Sequence, residues 1–211
     1  TDCVAYDEML ELDKWAVDQA VLLEEDIQTA YDNYQFHQIF QKLQQFCGVE
    51  MSGFYLDITK DRMYTMQVDS LGRRSAQTAM YHITEAFVRW IAPILSFTAD
   101  EMWEFLADTS GSVFTAEWHK LPEIGEKGQQ FSKEDWEKLQ GVREAVNGAI
   151  ESARKEGQLK GSLEASVQLF VSADLASTLE KTGEELRFLL ITSEVRWQQA
   201  EGGAQSEMAG L

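Results

Sequence analysis

The chain has 211 residues with a formal net charge of −18; hydrophobic residues make up 44% and charged residues 26%. This is an ordinary composition for a soluble globular protein with a sizeable core, between one large domain and two small ones. No apolar run approaches the roughly 20 residues that span a membrane, none is expected to act as a secretory signal segment, and the acidity argues against a general binder of nucleic acid.

From Tyr6 to Tyr34, apolar residues at Met9, Leu12, Trp15, Leu23 and Ile27 recur at helical spacing, and Asn33 in "DNYQF" marks a turn. A second helix is expected from Phe36 to Tyr64, with Ile39, Leu43, Phe46, Phe54, Tyr55 and Ile58 on its apolar face and Gly48 and Gly53 tolerated inside it. After a polar connector at 68–70, a third helix is predicted over Leu71–Ile91, ended by Pro93. "TADEMWEFL" restarts a helix with Thr98 as cap and Glu101 closing a capping box. Long helices with wide apolar faces and short connectors bury those faces on one another, so the fold class is mainly α: an antiparallel helical bundle over residues 1–109.

Glycines and a proline across 107–131 point to a loop-rich connector at 110–131. From Ser132 an amphipathic helix runs to about Glu156, and then the period changes. Val167, Leu169 and Val171 alternate with polar or outward positions as a strand does, residues 174–190 return to helix, and "TSEVRWQQ" suggests a second strand. Residues 132–200 therefore read as a small α+β subdomain, and 201–211 as a flexible tail.

The charge is unevenly distributed. Residues 1–35 carry ten acids and one lysine, whereas residues 36–90 carry five acids and six bases. The second stretch, at +1, is the one part of the chain that does not repel a polyanion, and "FYLDITKDRMYT" places Lys60, Arg62 and Tyr64 there, with Arg73 and Arg74 just downstream. Cations and rings in that pattern suit unpaired RNA, whose phosphates take cations and whose bases stack on aromatic or guanidinium planes. The same residues have plainer readings: Arg62 paired with Asp57 or Asp61 inside the bundle, Tyr64 capping the core, and Arg73 and Arg74 facing an anion at a helix start.

No phosphate-binding glycine loop, dinucleotide fingerprint or zinc spacing occurs in the sequence, and His37, His82 and His119 are scattered, so neither a catalytic group nor a metal ligand set is assigned. The two cysteines, Cys3 and Cys47, form no CxxC pair, and a reducing, cytoplasmic setting is expected.

"FYLDITKDRMYT", then "RRSAQTAMYHITEAFVRWIAPILSFTADEMWEFL" and "GSLEASVQLFV", resemble the C-terminal region of bacterial isoleucyl-tRNA synthetases over nearly the whole chain, from Tyr6 to Val195. The resemblance implies the helical anticodon-binding domain of the class I synthetases. It further implies a parent enzyme that uses ATP and Mg2+ to join isoleucine to its tRNA, with tRNA and the rest of the synthetase chain as partners and no membrane. The catalytic signatures and the editing domain are absent here, so the chain reads as an excised, catalytically silent tRNA-binding module that holds no cofactor itself. On that resemblance Lys60, Arg62, Tyr64, Arg73 and Arg74, with Lys155 and Lys160 in the turn before "GSLEA", are the tRNA-binding candidates. The alternatives are the same module of a valyl-tRNA synthetase and a stand-alone helical interaction domain.

Overall fold

The structure is a computed structural model that describes residues 3–106, 111–124 and 130–199. It is mainly helical, and the chain divides into two compact units, Thr1–Gln129 and Gln130–Leu211.

In the first unit, α1 (Glu11–Asp32) follows a short 3-10 turn at Tyr6–Glu8. The expected single helix from Tyr6 is broken because Met9 and Leu10 are extended, with ψ of 154° and 150°. The second predicted helix exists as one continuous run, but not as a uniform one. It comprises α2 (Phe36–Gln45), a π-helical stretch at Phe46–Tyr55 and α3 (Leu56–Thr65). The wide turns leave Gly48 and Gly53 close together: a Cβ on Gly53 would lie 3.2 Å from the Gly48 carbonyl oxygen. Such stretches re-phase the residues that follow them, and here Phe54, Tyr55 and Ile58 remain buried.

Helix α4 (Leu71–Ile91) has the bounds expected and stops two residues before Pro93. Helix α5 (Ser96–Trp103) departs from expectation at its start. It begins before Thr98, Leu95 is the cap residue without a side-chain bond, and the Ser96 hydroxyl donates to the Ala92 carbonyl at 3.0 Å instead. The tight turn after Pro93 brings the new helix in early, so the predicted capping box does not form.

Helix α1 packs on α2, on the π stretch and on α4. Ala16 and Ala20 of α1 and Ala76, Ala79 and Ala86 of α4 are fully buried, leaving little side-chain bulk between the two backbones. Trp90 is fully buried, its indole N–H donating to Glu24 at 3.2 Å, and Tyr31 donates to the Trp90 carbonyl at 2.6 Å. A second cluster of Val88, Ile91, Ala92, Ala99, Trp103 and Val113 closes the far end of α4.

In the second unit, α6 (Lys133–Lys155) starts with a true capping box: Ser132 accepts from the Asp135 backbone N–H, and Asp135 accepts from that of Ser132. Strands β1 (Ser166–Val171) and β2 (Glu194–Gln199) pair in parallel, Ser166 opposite Glu194 and Val171 opposite Gln199. Parallel pairing needs a crossover, which α7 (Ala173–Thr182) and α8 (Leu186–Leu190) supply. The α7–α8 break falls at Gly183, whose φ of 50° suits glycine. Leu169 and Val171 of β1 are buried, as are Leu175 and Leu179 of α7 and Leu190 of α8. The expected tail at 201–211 lies outside the described residues.

Candidate nucleic-acid interface

The first question about the predicted cationic cluster is where each guanidinium goes. Arg62 turns inward. Its side chain is 9% exposed and its Nη1 donates to Oδ2 of Asp13 at 2.9 Å. Asp13 has no exposed surface. The same carboxylate accepts from the Tyr55 hydroxyl at 2.8 Å and from the Ser75 hydroxyl at 2.5 Å, and Ser75 in turn accepts from the Leu10 N–H at 2.9 Å. A buried charge is tolerated only when paired and hydrogen-bonded, and this one is both. Burial lifts the Asp13 carboxyl above the ordinary carboxylate range, opposed by the Arg62 charge and the donors Ser75 and Tyr55. The Tyr55 phenol, equally buried and facing that carboxylate, is pushed well above its ordinary value. Arg62 is therefore spent on the core. The expected partners Asp57 and Asp61 are corrected to Asp13, a residue too distant in sequence to be paired with it by helical spacing.

Around this knot the other candidates stay outside. Lys60 is exposed and forms no ion pair among the described residues. Tyr64, one helical turn on, is 81% exposed, so it does not cap the core. The two are four residues apart on α3 and share a face. The connector that follows exposes Val68 and Leu71 as well. Arg73 is half-buried: its Nη1 donates to the Met66 carbonyl at 3.2 Å, while its Nε is buried without a partner. Arg74 is also half-buried and has an interaction of its own.

The turn is built so that α4 can start close against α3. Ser70 caps α4 by accepting from the Arg73 N–H, and its own hydroxyl donates to the Gln67 carbonyl at 2.8 Å. Gly72 allows the approach: a Cβ there would meet the Met66 sulfur at 3.0 Å and the Arg62 Cδ at 3.5 Å. The α3–α4 turn thus carries Lys60, Tyr64, Arg73 and Arg74 within one short stretch. It is a helix start with no acid in its first turn, where the macrodipole adds to the positive potential.

Lys155 and Lys160 belong to the second unit. Both are exposed: Lys155 ends α6, and the Lys160 backbone N–H donates to Glu164 at 3.2 Å. The charged hub of this unit is Asp135, which accepts from Lys181 at 2.6 Å, Thr178 at 2.8 Å, and the Ser132 backbone and hydroxyl at 2.9 Å each. Burial would raise its pKa, but the bonds from Lys181, Ser132 and Thr178 outweigh it and hold the carboxyl well below the ordinary range.

Two groupings escaped the sequence reading. His82 and His119, read as scattered, meet with Nδ1 and Nε2 2.9 Å apart, and Tyr81 lies edge-on to both. Burial pushes the His82 ring down, while burial, His82 and Arg89 push His119 down to about 4. Nothing in a separation of 37 residues signals that pairing. The second is an aromatic shelf at the α1–α2 turn, where Tyr31, Tyr34, Phe36 and Trp118 make edge-to-face contacts. Tyr34 is 81% exposed at a positive φ of 56°, and "YDNYQF" already carries three of the four rings. Among the described residues no three His, Cys, Asp or Glu side chains gather as a metal site requires, and no helix is long and apolar enough to cross a membrane.

Comparison with known proteins bears on what such a helical unit is. Residues 13–169 match the family described as the anticodon-binding domain of tRNA ligase. The isoleucine–tRNA ligase of Teredinibacter turnerae is 51% identical over 99% of this chain, and that of Saccharophagus degradans is 51% identical over all of it. The isoleucine–tRNA ligase of Serratia proteamaculans is 51% identical over 93% of the chain. The chain spans 23% of the length of the first two relatives and 21% of the third. A family match that begins at the buried Asp13 and runs through the α3–α4 turn into β1 takes in every element described around the candidate interface: this chain belongs to the anticodon-binding domain family of tRNA ligases.

Proposed function

We propose that the chain binds the anticodon region of the isoleucine tRNA, and that the polypeptide carrying it is an isoleucine–tRNA ligase that uses ATP and Mg2+ elsewhere in its length. The observation that carries the reading is the identity of about half the residues, over essentially the full chain, to relatives named isoleucine–tRNA ligase. On this reading the helices of the first unit form an antiparallel bundle of the class I synthetase type, the second unit is a small α+β subdomain, and the chain carries no catalytic group of its own.

The surface at the α3–α4 turn is the proposed RNA contact. Tyr64 stacks an unpaired base, Lys60 and Arg73 meet backbone phosphates, and Arg74 adds positive potential. Lys155 and Lys160 are proposed as further backbone contacts. Arg62 supports this surface from below and does not touch RNA. An acidic body with a few cations at one turn limits phosphate contacts and so limits binding to the wrong RNA.

The test is binding of isoleucine tRNA and of the same tRNA with a swapped anticodon. The native anticodon binds more tightly, and Tyr64→Ala removes about 1–3 kcal/mol of that affinity, as loss of one stacked base does. Equal affinity for both tRNAs overturns the reading.

A further inference from the structure

The knot under the α3–α4 turn joins three further elements to α1 through one carboxylate. Asp13 stands in the first turn of α1, and its donors come from the end of the π stretch (Tyr55), from α3 (Arg62) and from α4 (Ser75). All but Arg62 have no exposed surface. Arg62 lies between Lys60 and Tyr64 in sequence, and Ser75 follows Arg73 and Arg74 directly. Two of the three donors, Arg62 and Ser75, are therefore one or two residues from a candidate RNA-contacting side chain. A one-residue slip of α3 would rotate its side chains by about 100° about the helix axis, turning Lys60 and Tyr64 away from the side they now face. Such a slip has an obvious origin, because the preceding stretch is π-helical, and the loss of one wide turn re-phases everything after it.

Apolar packing alone fixes such a phase weakly, since Ile58 is the one hydrophobe among the three buried residues of α3. A guanidinium–carboxylate pair with two further hydroxyl donors is geometrically exacting. Buried ionic groups contribute little net stability against an apolar replacement, and their best-attested use is to fix register.

We infer that Asp13 is a positioning residue for RNA recognition: through Arg62, Tyr55 and Ser75 it locks α3 in the one phase that presents Lys60 and Tyr64 on the surface. This rests on the proposed RNA reading and specifies what aligns the surface.

The test is carried out on the complete polypeptide that contains these 211 residues, at a temperature where every variant is folded, with thermal stability measured in parallel. Asp13→Asn keeps the side-chain shape and removes the charge that holds Arg62. It weakens binding of isoleucine tRNA about tenfold, equivalent to 1.4 kcal/mol. Arg62→Met does the same, and the Asp13→Asn/Arg62→Met double variant is no worse than either single change, because both act through one alignment. Ile27→Ala, a cavity in the fully buried face of α1 away from the knot, lowers stability and leaves affinity unchanged. If the affinity losses at Asp13 and Arg62 add, or if Ile27→Ala weakens binding as much for the same loss of stability, the knot is merely structural and the inference is overturned. If Tyr64→Ala leaves binding untouched, the RNA reading itself fails, and this inference with it.

Discussion

Asp13 and Asp135 are two solutions to the same local problem. Each is the third residue of a long helix, each gathers donors, and each is paired with a cation, Arg62 or Lys181. Asp135 serves its own helix: it closes a capping box with Ser132 and takes Lys181 and Thr178 in addition. Asp13 does nothing for its own helix start, whose cap residue, Leu10, has no side-chain bond and instead donates its N–H to Ser75. Its acceptor capacity goes to other elements. Burial then sets the sign of the energetics. At Asp135 the donors prevail and the carboxyl is held low, whereas at Asp13 desolvation prevails and the carboxyl is raised. A carboxylate that caps a helix is a stabilising device, and one that ties four elements together is suited to aligning them.

The largest loss is expected where the buried cation is removed. Arg62→Ala strands a fully buried carboxylate and should cost about 3–5 kcal/mol in denaturant unfolding of the first unit; a cost below that of Asp135→Ala would reverse the ranking. Asp135→Ala loses a cap and its reciprocal bonds, for about 1–2 kcal/mol, measured by the unfolding of the second unit.

The pH dependence follows with opposite signs. The depressed Asp135 contributes stability that is complete above its unfolded value of 3.8 and is lost as pH falls through its folded value. Asp13, raised when folded, opposes folding as pH rises through its own window, so Asp13→Asn should make the first unit lose more stability on acidification than the native chain does. His119, like its partner His82, makes that unit acid-sensitive: neutral when folded down to about 4 but protonated below about 6.5 when unfolded, it removes stability between those values. His119→Gln should flatten that slope, which a series of melting curves from pH 7 to 4 would record.

The smallest effect belongs to Gly72→Ala. The gain in helix propensity, about 0.5–1 kcal/mol, is offset by pushing aside the Met66 thioether, so net stability should change by less than about 0.5 kcal/mol. A loss of several kcal/mol would mean that the close approach of α3 to α4 is far more rigid than a methionine side chain makes it.

What could be read from the sequence divides along the same line. Helix α4 and the alternation of β1 were legible, because their signals are local and periodic. So was the helical run from Phe36, though not its π interior, since periodicity marks a buried face without counting the residues in each turn. The box proposed at Thr98 failed, and the real one formed at Ser132, because motif spacing does not reveal where the preceding turn delivers the chain. At the candidate site, Lys60 and Tyr64 stand on the surface, although the plainer reading of Tyr64 is a cap on the core. The partner of Arg62 was beyond local reasoning: Asp13 lies 49 residues away on another helix. His82 with His119 is the same case.

The salt dependence of tRNA binding in two charge-removing variants separates a surface cation from a buried one. Lys60→Met should lower the slope of log affinity against log salt by about one, as loss of a phosphate contact does. Arg62→Met should weaken binding while leaving that slope unchanged, because its guanidinium lies with Asp13 in the core. A slope that falls for Arg62→Met and holds for Lys60→Met would contradict the account.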